Sequence, residues 1–191
     1  MSISIGSNIE CPGGVGGLEP FVFLYNIADW KAVEAEVGFT EGTNGEVTAI
    51  VNPDGIQAYK FQHLATGTPI VPTNPMRTRA GLPPGYDHSL TMQFELSPAQ
   101  FQQLNQMRCD KVVAIVMGLN GYGYIYGREQ GLGITSNDFD PSNIDTGGIV
   151  PATLATDPER PPENKMPTII DAGDYASTLA LITGLETPGT P

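Results

Sequence analysis

The chain has 191 residues, with 21 acidic against 9 basic side chains and a formal net charge of −12. That length suits one large domain or two small ones with a core that needs no staples, and the acidity argues against tight nucleic-acid binding, which needs clustered Lys and Arg to displace counterions. With 23 glycines and 17 prolines, against roughly 12% for the two together in an average protein, long helices should be scarce and short strands with long loops are expected.

The opening "MSISIGSNIE" has neither a basic start nor an apolar run, so no secretory signal is read there. No apolar stretch is long enough to cross a bilayer as a helix, and a soluble protein made in the cytoplasm is the expectation. Cys11 and Cys109 lack metal-ligand spacing and read as buried free thiols. "CPGGVGG" lacks the Lys-Ser/Thr of a phosphate loop and precedes a strand rather than a helix, so it offers no helix N-terminus to an anion.

"FVFLYNI", residues 21–27, is apolar on both faces. Trp30 follows it and suits either a core or an interface; the sequence alone does not separate these. "VEAEV" (33–37) alternates in the period of a strand. In "EVTAIVNPDGIQAYKFQ", Pro53, Asp54 and Gly55 predict the turn of a hairpin. Residues 66–89 carry five prolines and read as a long loop. "LTMQFEL" (90–96) alternates strictly, with Leu90, Met92, Phe94 and Leu96 facing in. "SPAQFQQLNQMR" predicts a helix, with Ser97 as N-cap, Pro98 at the first position and Gln100 completing a capping box.

Residues 111–127 then predict a hairpin turning at "LNG" (119–121). Val112, Ala114 and Val116 point one way, and Val113, Ile115 and Met117 the other. Both faces are apolar, although an antiparallel strand usually keeps one wet face. Residues 136–174 read as a second long loop, and "YASTLALITGLE" as a closing strand with two apolar faces. One helix and two loops are too little cover for such a sheet. The expectation is that other copies of the chain shelter the rest; the competing reading folds the loops back over their own sheet.

Two sets of polar residues invite a chemical reading. Asp138, Asp140, Asn143 and Asp145 offer oxygen ligands, but the EF-hand glycine and closing glutamate are missing, and a solvated loop is preferred. Asp87, His88 and Ser89 are adjacent, yet neighbours on a strand point to alternate faces, so adjacency builds no triad. No converging acid–base set is found. Neither enzymatic activity, nor a cofactor, nor a metal is expected.

The helix "SPAQFQQLNQMRCDK", the hairpin "VVAIVMGLNGYGYIYGREQGLGIT", the late "YASTLALITGLETPGTP" and the early "CPGGVGGLEPFVFLYNIADW" together resemble the tail tube (major tail) proteins of bacteriophages. The likeness spans most of the chain as a pattern of apolar positions and glycines. It implies a mainly β fold of two packed antiparallel sheets with one flanking helix, a single domain over 1–191 with a short tail at 187–191. It also implies hexameric rings joined edge to edge and stacked into a tube, within a virion assembled in the host cytoplasm.

The partners implied are the chain itself, other tail proteins, and genomic DNA passing an acidic channel without specific binding; no membrane is involved. The expected subunit interface comprises Phe21, Phe23, Trp30, Val113, Ile115, Met117, Tyr124, Tyr126, Leu179 and Leu181. The Pro-rich segment 148–170 departs from the family pattern and is read as an outer decoration or an arm between rings. A tail terminator or head–tail connector, or a carbohydrate-binding β-sandwich using Tyr122, Tyr124 and Tyr126 as a stacking ladder, are the alternatives.

Overall fold

A computed structural model describes residues 17–62, 70–78, 84–95, 110–137 and 149–189. The predicted helix from Ser97, both cysteines and the Asp138–Asp145 loop lie outside the described residues. The fold is mainly β, as expected.

The elements run β1 (Leu18–Asn26), α1 (Ile27–Ala35), β2 (Thr40–Glu41), β3 (Val47–Ala49), β4 (Tyr59–Gln62), β5 (Val71–Thr73), β6 (Met76–Arg77), β7 (Gly85–Tyr86) and β8 (Ser89–Glu95). Then come β9 (Val112–Gly118), β10 (Gly123–Tyr126), β11 (Gly133–Asn137), β12 (Ile149–Ala155), β13 (Thr168–Ile170) and α2 (Tyr175–Gly184). A large sheet has the order β2-β3-β13-β10-β9-β1-β4, a small sheet β11-β12-β8-β5, and β6 pairs with β7 alone.

The period of two in β9 sorts the core into two layers. Val112, Ala114 and Val116 join Val22 and Leu24 of β1 in a cluster that meets Leu90 and Met92 of β8 and Ala152 and Leu154 of β12. This layer glues the two sheets. Val113, Ile115 and Met117 join Phe23 and Tyr25 in a second cluster, closed by Trp30 and Val33 of α1 and Ile182 of α2. Every residue of β9 is buried. At about 1.5–3 kcal/mol for each large apolar side chain removed from water, this central strand anchors the fold.

The predicted hairpin at 111–127 forms as read. β9 and β10 pair antiparallel, with Ile125 opposite Ile115, and Gly121 takes the positive φ (94°) that the turn needs. Its doubly apolar character needs no second copy, because the chain covers both faces itself. The structure departs from four sequence expectations, and three of these departures supply the missing cover.

"VEAEV" is not a strand: residues 33–35 end α1, Glu36 is its C-cap, and Val37 lies in the turn beyond. Ala, Glu and Lys favour helix, and Trp30 and Val33, three apart, are the residues turned into the core, while Val37 is 95% exposed. "YASTLALITG" is likewise a helix. Asp174 caps it by accepting the Ser177 N–H at 2.8 Å, and Thr178 and Ile182, four apart, face inward. "VEAEV" is too short for alternation to outvote helical spacing, and a run apolar on both faces does not by itself separate a strand from a buried helix.

The turn at Pro53–Gly55 is present, with the Ile56 N–H donating to Pro53 O (3.1 Å) and Gly55 at φ 72°. Its flanking strands do not pair with each other. β3 joins β2 and β13, while β4 joins β1 at the other side of the sheet. The connection between them crosses the helix-side face, burying Ile50, Asn52 and Ala58. Finally, the two long loops are not structureless: 66–89 contains β5, β6 and β7, and 136–174 contains β12 and β13.

Candidate assembly surface

The structure gathers eight of the ten expected interface residues into the helix-side core and places Tyr124 and Tyr126 with the core between the sheets. Phe23, Trp30, Val113, Ile115 and Met117 are 0% exposed and Tyr126 is 4% exposed. All six are core residues of a single chain, so they offer no surface to a second copy. Phe21, Tyr124, Leu179 and Leu181 are half-buried against the same clusters. The Tyr ladder is not a platform either: Tyr122 is exposed, Tyr124 accepts the Asn120 side-chain N–H at 2.6 Å, and Tyr126 lies between the sheets. Periodicity shows which residues share a face but not what lies over that face, and here the chain's own helices and second sheet provide the cover.

Among the described residues, the face left open is the outer one of the small sheet. Leu90, Met92, Ala152 and Leu154 point into the core, which turns Thr91 and Thr153 to the other side. The Thr91 and Thr153 hydroxyls meet at 3.2 Å across the strands, and the Thr135 hydroxyl donates to Thr153 O at 3.2 Å. Thr73 and Val71 continue the row on β5 and are exposed. Among the described residues this face carries no Lys or Arg. The strands alternate in direction throughout, β11 against β12, β12 against β8, and β8 against β5. Among the described residues the outer edges of β5 and β11 are unpaired. Each edge carries a device that limits promiscuous pairing: Pro72, whose nitrogen cannot donate to a ladder, sits in β5, and a bulge interrupts β11 between Ile134 and Ser136.

A second polar feature lies at one end of the large sheet, around a cavity of ≈ 290 Å³ lined by Lys31, Glu34, Glu41, His88, Arg128 and Glu163, among others. Arg128 donates to Glu34 at 2.6 Å, to Glu41, and to the Thr168 hydroxyl at 3.4 Å. Burial opposes the Arg128 charge, but the two carboxylates hold its pKa above the usual value. Glu34 is partly buried, which alone would raise its pKa; Arg128 and Lys31 bring it below the ordinary range instead.

Glu163 accepts the backbone N–H groups of Glu129 (2.9 Å) and Gln130 (2.8 Å), while Glu129 in return accepts the Asn164 N–H at 3.1 Å. Burial pushes the Glu163 carboxyl upward, and the two N–H donors only partly offset it. His88, 2% exposed, accepts the Gly127 N–H on Nδ1 at 3.1 Å and places Nε2 3.0 Å from Lys165 O. Burial lowers its pKa to about 4.

With both ring nitrogens engaged, His88 has no free nitrogen to aim at the Ser89 hydroxyl, and Asp87 pairs with Arg77 at 2.7 Å instead. The cluster fastens the 127–131 turn to the 163–168 segment; its donors and acceptors are spent on one another. Among the described residues no group of three or more His, Cys, Asp or Glu side chains could hold a metal ion, and no helix is long and apolar enough to cross a membrane. No protein-family model, curated protein or solved structure matches the chain.

Proposed function

We propose that the chain is a structural subunit that assembles side by side into rings and forms a phage tail tube for genome passage. The observation that carries this reading is the small sheet: four strands of alternating direction, both edges unpaired among the described residues, and an uncovered hydroxyl-bearing face. An even number of alternating strands has edges of opposite direction. The β11 edge of one copy therefore meets the β5 edge of the next in antiparallel sense, and repetition of that heterologous contact about an axis closes a ring. Pro72 contributes its carbonyl to such a seam, but no N–H. The resemblance to tail tube proteins supports the same arrangement.

Assembly on this reading runs through edges, not through the apolar faces, which the chain covers itself. The threonine-rich face would line the channel. A wall whose described residues include no Lys or Arg, on a chain of net charge −12, offers DNA phosphates little to bind. Negative-stain microscopy of concentrated protein tests the proposal. Filaments of uniform width with a central channel support it. Discrete rings that never stack point to a terminator or connector, and a monomer at every concentration overturns the assembly reading altogether.

A further inference from the structure

Two Asn-Gly pairs lie at exposed turns of the molecule, Asn44–Gly45 between β2 and β3 and Asn120–Gly121 between β9 and β10. We propose that Asn44 is a site of spontaneous covalent modification, converting to aspartate and isoaspartate in the folded protein, and that the fold protects Asn120 from the same reaction.

The chemistry needs no enzyme. The backbone nitrogen of the following residue attacks Cγ of the asparagine side chain, a new C–N bond closes a succinimide, and the side-chain nitrogen leaves as ammonia. Water then opens the ring at either carbonyl, giving aspartate or a backbone lengthened through the β-carboxyl group. Glycine in second place favours the step because no side chain hinders its nitrogen. The remaining control lies in whether the asparagine side chain can swing onto that nitrogen.

At Asn44 little hinders it. The residue is exposed, and of its polar groups the backbone N–H is engaged, donating to the Glu46 carboxylate at 3.0 Å. No hydrogen bond ties down its carboxamide among the described residues. Gly45 has φ 84° and open space where a Cβ would stand, so the turn has room for a five-membered ring. The product carboxylate would stand close to Glu46, on the rim of a groove that Tyr122, Met166 and Asp171 also line. Conversion therefore adds charge to a surface that is already acidic.

At Asn120 the side chain is held at both ends. Its Nδ2 donates to the Tyr124 hydroxyl at 2.6 Å, and its Oδ1 accepts the Tyr122 N–H at 3.4 Å. The same Oδ1 folds back over Gly118, 2.3 Å from where a Cβ on that glycine would sit. Gly121 is backed by Tyr175, 3.9 Å from the position of its own missing Cβ. The glycine nitrogens do not distinguish the two sites, since each N–H donates to the carbonyl three residues earlier at 3.1 Å. The difference rests on the carboxamides.

The test is peptide mapping by mass spectrometry after prolonged incubation of the folded protein at mildly alkaline pH, with a denaturant-unfolded sample in parallel. Conversion at Asn44 should outpace conversion at Asn120 severalfold in the folded protein, and the two should approach each other in the unfolded chain. Tyr124→Phe, which frees one end of the Asn120 side chain, should raise conversion at Asn120 and leave Asn44 unchanged. Equal rates at the two sites in the folded protein, or a faster reaction at Asn120, would overturn the proposal. So would a Tyr124→Phe protein, shown to be folded, in which Asn120 reacts no faster.

Discussion

The Tyr25 hydroxyl donates a 2.6 Å hydrogen bond to Oδ1 of Asn52, and Nδ2 of the same asparagine donates to the carbonyls of Leu185 and Thr187, each at 2.9 Å. One buried carboxamide thus joins β1, the crossing segment 50–58 and the residues after α2. Burial raises the Tyr25 pKa, with the Asn52 bond acting in the opposite direction, so the phenol stays protonated as a donor well into alkaline solution. Tyr25→Phe leaves a buried acceptor without its partner and should cost about 1–3 kcal/mol. Asn52→Ala removes three bonds and should cost more. Urea denaturation of both variants gives the order, and an Asn52→Ala protein as stable as wild type would refute the role assigned to this carboxamide.

His88 makes stability depend on pH in a direction fixed by its burial. Its folded pKa, about 4, lies below the ordinary value near 6.5, so between the two the unfolded chain binds the extra proton. The contribution is fully present above about pH 6.5 and is lost as pH falls toward about 4. A shift of that size corresponds to stabilisation on the order of 3 kcal/mol. Glu163 acts in the opposite sense: its raised pKa gives a contribution present at low pH and lost as pH rises through the carboxyl range. Urea midpoints measured across this window should fall on acidification in wild type, and the slope should flatten in His88→Gln. An unchanged slope would mean that the imidazole titrates normally in the folded state.

The helical reading of 175–184 has a direct mutational signature. Ile182 is fully buried, whereas Ala180, two residues earlier, is exposed. A strand would place both on one face; the helix separates them. Ile182→Ala should destabilise by about 2–5 kcal/mol, and Ala180→Glu should remain within about 0.5 kcal/mol of wild type. Comparable losses from both substitutions would favour a strand.

The hydroxyl face can be given charge without touching the core. Thr91 is exposed and its neighbours on the face are neutral, so Thr91→Lys should leave the thermal midpoint nearly unchanged. In assembled tubes it should line the channel with cations and make the particles retain double-stranded DNA in a salt-dependent manner, which wild-type tubes should not do. Tubes of the variant that bind DNA no better than wild type would place this face away from the channel.

Much of the β architecture was legible in the sequence because period-two alternation is local. Val112–Met117 declared two apolar faces, and "LNG" declared the turn between β9 and β10. The identity of the cover was not legible. Trp30 with Val33, and Thr178 with Ile182, are each a single pair of inward residues, too few to stand out from the Val, Thr and Ile around them. The Asp174 cap was the signal available, three residues before Ser177. Pairing partners were equally hidden: Pro53–Gly55 fixes a turn, but which strands its two arms join is decided by contacts far along the chain. The open threonine face emerged only once Leu90 and Met92 had a second sheet to point into.

The position of β13 has a consequence for biogenesis. It lies between β3 and β10, and Val47 of β3 is registered against Ile170. The β2–β3 pair therefore reaches the large sheet only through a segment that leaves the ribosome long afterward. A nascent chain that has already emerged through β10 can zip β9 onto β1, yet its β2–β3 pair has no strand partner in the large sheet until Thr168–Ile170 arrives. Contacts so distant along the chain slow folding, and that interval is when a growing polypeptide of this kind would most depend on a chaperone.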